Sequence, residues 1–360
     1  MTKQTYAVIT GTGSYIPPKV VKNDDFLENE FFSPDGKRMT KTNREIIDKF
    51  QEITEIEERR HVDDQYVTSD IAVFTAQKAL QNSGIDPETL DYLIVAHNFG
   101  DVGKETKRTD ILPSLASKVK HQLKIENPFC VAYDVLFGCP GWIQALIQAD
   151  MFIKSGQAKK ILVIGAETLS RVSDPHDVDS MIYSDGAGAV VVEGRESDHP
   201  VGIISHISRT DTIEHAWLLR MGPSYNPDID PNELYLKMNG RKVYEYALHR
   251  VPQTVKKCLE DAEVDISDIK KVLIHQANAK MDHAILARLF KLCGIRSVPE
   301  HVMPLTISHL GNNSVATVPV LFDMVLGRLL KNHRLHSGDH FVFTSVGAGM
   351  NINAIIYRMP

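Results

Sequence analysis

Ala132-Tyr-Asp-Val-Leu-Phe-Gly-Cys-Pro-Gly-Trp-Ile-Gln-Ala-Leu-Ile-Gln-Ala-Asp150 changes character at one point. Val131 to Phe137 read as a short buried strand, Gly138 punctuates it, and Pro140 falls where the first turn of a helix tolerates a missing N–H. Gly141 to about Lys154 are helical in composition and apolar on most faces, the pattern of a helix inside a core. That order places the Cys139 sulfur at the N-terminus of a buried helix, where the macrodipole and the unpaired N–H groups favour thiolate over thiol. An inert core cysteine is the competing reading. The strand–Gly–Cys–Pro–Gly–helix setting favours a nucleophile.

Outward from this turn, the chain has room for two domains or one large one, at 360 residues, 43% apolar and 24% charged. A net charge of −6 argues against a nucleic-acid partner. Cys130, Cys139, Cys258 and Cys293 lie far apart without zinc spacing, as free thiols in a reducing compartment do. No metal is expected. The N-terminal residues lack the apolar core of a signal peptide, and no apolar run is long enough to span a bilayer. The expectation is a cytoplasmic protein without a membrane partner.

Strand and helix patterns alternate along the chain, which argues for an α/β architecture. Gly11-Thr-Gly13 follows a strand but lacks a third glycine, and Pro17-Pro18 stop the helix that a dinucleotide site needs. Leu90 to His97 read as a strand, and Asn98 to Asp110 as a polar loop long enough to suggest a lid or interface element. Asp185-Gly-Ala-Gly-Ala-Val-Val-Val192 reads as a glycine-rich turn entering a buried strand, and His199-Pro200 as a boundary between halves. In the second half, Pro252 should kink or break a helix over Val243 to Ala262. Strand Lys270 to Ile274 delivers His275, and His309-Leu-Gly-Asn-Asn-Ser314 precedes an apolar helix. Strand Phe341 to Ser345 ends in Val346-Gly-Ala-Gly-Met350.

Three side chains at such strand and loop ends could do chemistry. Cys139 is a candidate nucleophile; His275 is a hydrogen-bond donor or a structural histidine; Asn312 is a second donor or a turn residue. Gly347-Ala-Gly349 could present backbone N–H groups to an oxyanion, or form only a tight turn.

In sequence order, Gly11-Thr-Gly-Ser-Tyr-Ile-Pro17, Glu58-Arg-Arg-His61, Asp134 through the Cys139 helix, Ile182-Tyr-Ser-Asp-Gly-Ala-Gly188, His275-Gln-Ala-Asn278, Gly311-Asn-Asn-Ser314 and Gly347-Ala-Gly349 resemble the β-ketoacyl-acyl-carrier-protein synthase III family. The resemblance runs over nearly the whole chain. It implies a thiolase-like fold of two pseudo-symmetric halves in a layered αβαβα arrangement, residues 1–198 carrying the cysteine and 199–360 the histidine, asparagine and glycine-rich turn. It implies catalytic roles for Cys139, His275 and Asn312, and an oxyanion site from the backbone N–H groups of Cys139 and Ala348. The implied reaction joins an acyl group on Cys139 to a malonyl thioester with loss of CO₂, giving a 3-oxoacyl thioester in fatty acid or related lipid or polyketide synthesis. No cofactor is implied; coenzyme A or phosphopantetheine thioesters are substrates, and an acyl carrier protein and a second copy of the chain are partners.

Lys49 and Ile53 stand where the family often has an aromatic and an arginine for the coenzyme A adenine, which favours an acyl-carrier-protein donor. Residues 28–50 and 98–111 are longer than in the short primary-metabolism enzymes. Leu112 matches a position that closes the partner's acyl pocket; Trp142, in place of a commoner Phe beside the nucleophile, is an acyl-pocket or carrier contact or else core packing; Lys280 matches a basic carrier-docking position or is a solvated lysine. The alternatives are a ketosynthase-III-like acyltransferase or chain-joining enzyme of secondary metabolism and, from another class, a non-catalytic partner subunit. Such subunits typically lose the nucleophile. A degradative thiolase needs a second cysteine in the C-terminal glycine-rich turn, where this chain has Val346-Gly-Ala-Gly349.

Overall fold

Apolar strands and amphipathic helices sort into five layers in the computed structural model, which describes residues 3–360. Strands β1 (Gln4–Tyr15), β2 (Tyr92–Ala96), β3 (Val131–Val135), β4 (Lys160–Thr168) and β5 (Asp185–Ser197) form one sheet in the order β1-β5-β4-β2-β3. Strands β6 (Gly202–Thr210), β7 (Ile269–Ile274), β8 (His340–Gly347) and β9 (Asn351–Arg358) form the other in the order β6-β9-β8-β7. Reading each sheet from its first strand, two antiparallel pairings are followed by a parallel one. The sheets therefore repeat one topology, and only β3, parallel to β2, lacks a counterpart. The chain passes from one sheet to the other between Ser197 and Gly202.

The longer helices are α1 (Asn43–Thr54), α2 (Thr68–Ser83), α3 (Leu115–Gln122), α4 (Gly141–Lys154), α5 (Gly240–Asp261), α6 (Ala279–Leu292) and α7 (Thr317–Leu326). Strand β4 shows why the layers form. Ile161 and Val163 face the central layer, where α4 and α7 pack through Ile143, Leu146, Val318 and Phe322. Leu162 and Ile164 face the opposite side, onto α2 and α3. Both faces are covered, so the strand reads as an unbroken apolar run rather than an alternation. On the far side, Val251, Val255, Ile285 and Leu289 of α5 and α6 cover the second sheet at Val272, Val342 and Ile356. Each such side chain taken from water contributes roughly 1.5–3 kcal/mol.

Several local expectations change. Strand β3 is an edge, paired with β2 alone, so Val131 is 48% and the adjoining Leu136 61% exposed rather than buried. Asp185 to Val192 form no turn; they lie inside β5. Gly188 is there for clearance, because a Cβ would come within 2.7 Å of the Pro319 Cβ on α7. Pro252 does not end its helix: α5 runs unbroken through it. Burial of Val251, Val255, Cys258 and Leu259 against the second sheet offsets the roughly 3 kcal/mol cost of an interior proline. The polar stretch after β2 folds into a small hairpin, Asp101–Val102 against Thr109–Asp110. Its base is fixed where the Asp101 carboxylate accepts from Ser69 N (2.7 Å), Ser69 Oγ (2.9 Å) and Lys118 Nζ (2.9 Å).

Asp282, in the first turns of α6, is fully buried and neither carboxyl oxygen has a partner among the described residues. Burial holds its carboxyl well above the usual carboxylate range. A group whose folded pKa is raised loses its contribution to stability as pH climbs from the ordinary carboxylate value through the folded one. Asp282→Leu is therefore expected to raise unfolding stability at neutral pH by about 1–3 kcal/mol, with the gain shrinking toward pH 4. Denaturant titrations at both pH values check this, and a destabilised variant at neutral pH would show that Asp282 has a partner.

Candidate active site

Cys139 sits in the turn between β3 and α4, pressed against the turn that follows β8. Gly138 has φ +66°, and a Cβ on it would meet Ala348 N at 2.7 Å; a Cβ on Gly347 would meet Cys139 N at 2.5 Å. Only glycines let the two turns close this far. The backbone N atoms of Cys139 and Ala348 are brought to the same contact.

His275 follows β7, where its N–H extends the pairing to the Thr344 carbonyl at 2.9 Å. Its ring is buried, and desolvation lowers its pKa to about 4, offset in part by the Ser314 backbone carbonyl, so the imidazole is neutral near pH 7. Asn312 is held by backbone bonds to Ile182 O (2.9 Å) and from Ser184 N (2.8 Å). Its Oδ1 accepts from Ser314 N at 2.9 Å, which leaves Nδ2 without a partner among the described residues. The Glu58-Arg-Arg-His61 motif braces this bridge from behind. Arg59 is fully buried and donates to Met181 O (2.9 Å), Val21 O (3.2 Å) and Asn23 Oδ1 (2.7 Å), while Arg60 N donates to Ser184 Oγ (2.9 Å).

Cys139, His275, Asn312 and Ala348 all line one cavity of about 220 Å³. The rest of its wall is mostly apolar, including Phe99, Leu169, Leu219, Leu236 and Val346, and Arg220 is its only formally charged side chain among the described residues. The thiol does not behave as a helix start alone would have it. Burial pushes Cys139 up to about 11; a hydrogen bond from the Ser314 hydroxyl (3.5 Å) lowers it, and the Glu167 carboxylate raises it. Desolvation outweighs the dipole because α4 begins at Gly141, beyond the sulfur, while the half-buried thiol faces a mostly apolar cavity.

A second cavity of about 500 Å³ shares Met238, Val243, Ala277 and Met281 with the first. Lys41, Lys49 and Arg241 lie on its wall, as do Ile53 and Asp179, whose carboxyl burial pushes up to about 7. The two cavities adjoin as a passage toward the cysteine.

The remaining sequence candidates fall elsewhere. Trp142 lines neither the acyl-side cavity nor a carrier-accessible surface: it is fully buried in the central layer, edge-on to Phe343 with ring centroids 5.5 Å apart. It faces the core because α4 turns that side toward β4, where Gly165 makes room for its indole. Leu112 is 88% exposed and does not reach the cavity of its own chain. Lys280 is exposed on the first turn of α6, beside Ala277, Asn278 and Met281 of the second cavity. Sequence reasoning missed Asn98, Glu167 and the Ser314 side chain. Glu167, an ionisable residue ending the apolar strand β4, was the available signal.

Residues 133–211 match the 3-oxoacyl-[acyl-carrier-protein (ACP)] synthase III family, and residues 259–359 match its C-terminal region. A β-ketoacyl-[acyl-carrier-protein] synthase III of Erythrobacter litoralis is 33% identical, over 98% of this chain and 99% of the relative. This chain belongs to that family. It is thus an acyltransferase of the ketosynthase type. Among solved structures, the 3-oxoacyl-[acyl-carrier-protein] synthase III of Aquifex aeolicus VF5 superposes with a TM-score of 0.79 at 29% identity, covering 98% of this chain and 99% of that one. The priming β-ketosynthase of the R1128 polyketide biosynthetic pathway superposes with a TM-score of 0.80 at 26% identity, covering 100% and 98%. The ketosynthase has the thiolase-like layered architecture that its motifs imply.

Proposed function

We propose that this ketosynthase loads an acyl group from an acyl carrier protein onto Cys139 and condenses it with a malonyl thioester. The observation that carries the reading is the meeting, on one apolar cavity wall, of a thiol, a neutral imidazole and a free amide N–H₂. Cys139 attacks the donor thioester, its proton leaving with the departing carrier thiol. The malonyl thioester then enters through the adjoining passage. His275 and Asn312 donate hydrogen bonds to its thioester carbonyl; the bond to the carboxylate breaks, CO₂ leaves, and the electron pair forms an enolate. Neutral donors suit this step because they add no negative charge beside the malonyl carboxylate. The enolate attacks the acyl carbonyl, the oxyanion faces the N–H groups of Cys139 and Ala348, and collapse expels the Cys139 thiolate with a 3-oxoacyl thioester as product. No metal or cofactor enters this sequence of steps.

Lys49 and Ile53, standing where the family often has an aromatic and an arginine for adenine, favour an acyl-carrier-protein donor over acyl-coenzyme A; Lys41, Lys49 and Arg241 on the passage wall suit the phosphate that both donors carry. Lys280 beside them suits carrier docking. A cytoplasmic location accords with four free cysteines and with no helix among the described residues being long and apolar enough to cross a membrane.

A homodimer through β3 accounts for several exposed apolar side chains. The strand edge is unpaired on one side, and Phe129 (84%), Leu112 (88%), Leu136 and Met151 (57%) are exposed. An open edge with apolar flanks favours isologous pairing, and it carries Leu112 toward the second copy. The double variant Leu112→Glu, Phe129→Glu is expected to sediment as one chain where the wild type sediments as two. A wild type of single-chain mass would remove the proposal.

A further inference from the structure

Glu167 has no part in the steps above, yet a carboxyl group is kept fully buried at the end of β4, with Oε1 unpartnered among the described residues. Its other oxygen is fully engaged: Oε2 accepts from Asn98 N at 2.9 Å and from Asn98 Nδ2 at 2.7 Å. Asn98 Nδ2 also donates to Ser314 Oγ at 3.1 Å, and Ser314 Oγ donates to the Cys139 sulfur at 3.5 Å. Ser314 is fixed in turn, with φ +52° and its N–H on Asn312 Oδ1. A hydroxyl has one hydrogen and two lone pairs. With Asn98 occupying a lone pair, the hydroxyl hydrogen is left pointing at sulfur.

We propose that Glu167 is a positioning residue for the nucleophile: through Asn98 it orients the Ser314 hydroxyl to donate to Cys139 and so sets the thiolate fraction. The chain carries two effects of opposite sign. As a negative charge, Glu167 disfavours the thiolate; as the anchor of Asn98, it preserves the hydrogen bond that favours it. The Ser314 bond is the larger of the two at Cys139, so anchoring wins. The other titratable groups around the pair are His275 and Tyr183 near Cys139 and His97 near Glu167.

The opposed signs make the test decisive. Alkylation of full-length protein by iodoacetamide at one mildly alkaline pH, read on the Cys139 peptide by mass spectrometry, reports the thiolate fraction. Ser314→Ala is expected to slow it about tenfold, the loss of one hydrogen bond to a charged acceptor. Glu167→Ala and Asn98→Ala are expected to slow it similarly. Glu167→Gln, whose carbonyl can still take both Asn98 donors without the charge, is expected to react at least as fast as wild type. Were Glu167 only a nearby charge, Glu167→Ala would speed alkylation. Faster or unchanged alkylation in Glu167→Ala overturns the inference, and if that variant does not fold, unchanged alkylation in Asn98→Ala does so. The inference rests on Cys139 being the acylated nucleophile. A wild type that takes no acyl group defeats that reading, whereas an acylating wild type with fast-reacting Glu167→Ala defeats only the role of Glu167.

Discussion

Cys139→Ala is expected to lose acylation completely and to lower condensation by at least about ten-thousandfold, while still releasing CO₂ from a malonyl thioester. The two halves of that result come from different walls of the cavity. The sulfur lies in the turn before α4, and no other cysteine can replace it: Cys130 and Cys258 are buried in other layers, and Cys293 ends α6. The donors for decarboxylation, His275 and the free Nδ2 of Asn312, are held by β7, β8 and the Arg59 brace, none of which needs the thiol. Alanine in place of a small side chain at the turn also leaves the Gly138–Ala348 contact intact. Radiolabelled acyl transfer and CO₂ release, measured on the same preparation, check both halves. Acyl transfer at wild-type level would remove the nucleophile assignment.

Asn312→Ala is expected to show the converse. It should accept the acyl group on Cys139 but decarboxylate malonyl thioester about a hundredfold to a thousandfold more slowly, the usual effect of removing one donor from a developing oxyanion. His275 remains, so the loss should fall short of total. Asn312 also accepts from Ser314 N, and alanine frees that turn. Asn312→Asp separates the two roles. It retains the acceptor for Ser314 but has no N–H for the enolate and places a charge near the malonyl carboxylate, so decarboxylation should suffer at least as much. If Asn312→Ala lost acylation instead, the asparagine would belong to the first half-reaction.

The parts legible in the sequence were those signalled by local backbone chemistry. Gly138, Cys139 and Pro140 announce a strand–turn–helix because glycine and proline restrict where each can stand. The alternation of strands and helices gave the α/β class for a similar reason, while the layered arrangement came from the family resemblance. Features set by distant packing were read less well. Gly188 looked like a turn residue, although α7 decides its size; Pro252 looked like a breaker until a whole sheet was set beneath it. Trp142 beside the nucleophile left a pocket or carrier contact and core packing both open, and the rotation of α4 decides for the core. The thiol was the most instructive case. A helix start argues for thiolate from sequence alone, whereas desolvation in the apolar cavity argues against it and is invisible without the fold. Glu167 and Asn98 were missed because their relation to Cys139 runs through Ser314, from the other half of the chain.

The measurement that bears most directly on the mechanism is the mass of the Cys139 peptide through one turnover. Purified protein is incubated with acyl carrier protein bearing an acyl group, then given malonyl-carrier protein. The expected result is a mass increase on Cys139 equal to the acyl group, which disappears on malonyl addition as CO₂ and a 3-oxoacyl thioester form in equal amounts. An unmodified Cys139 throughout, with acyl-coenzyme A donors tried in parallel, would contradict the account.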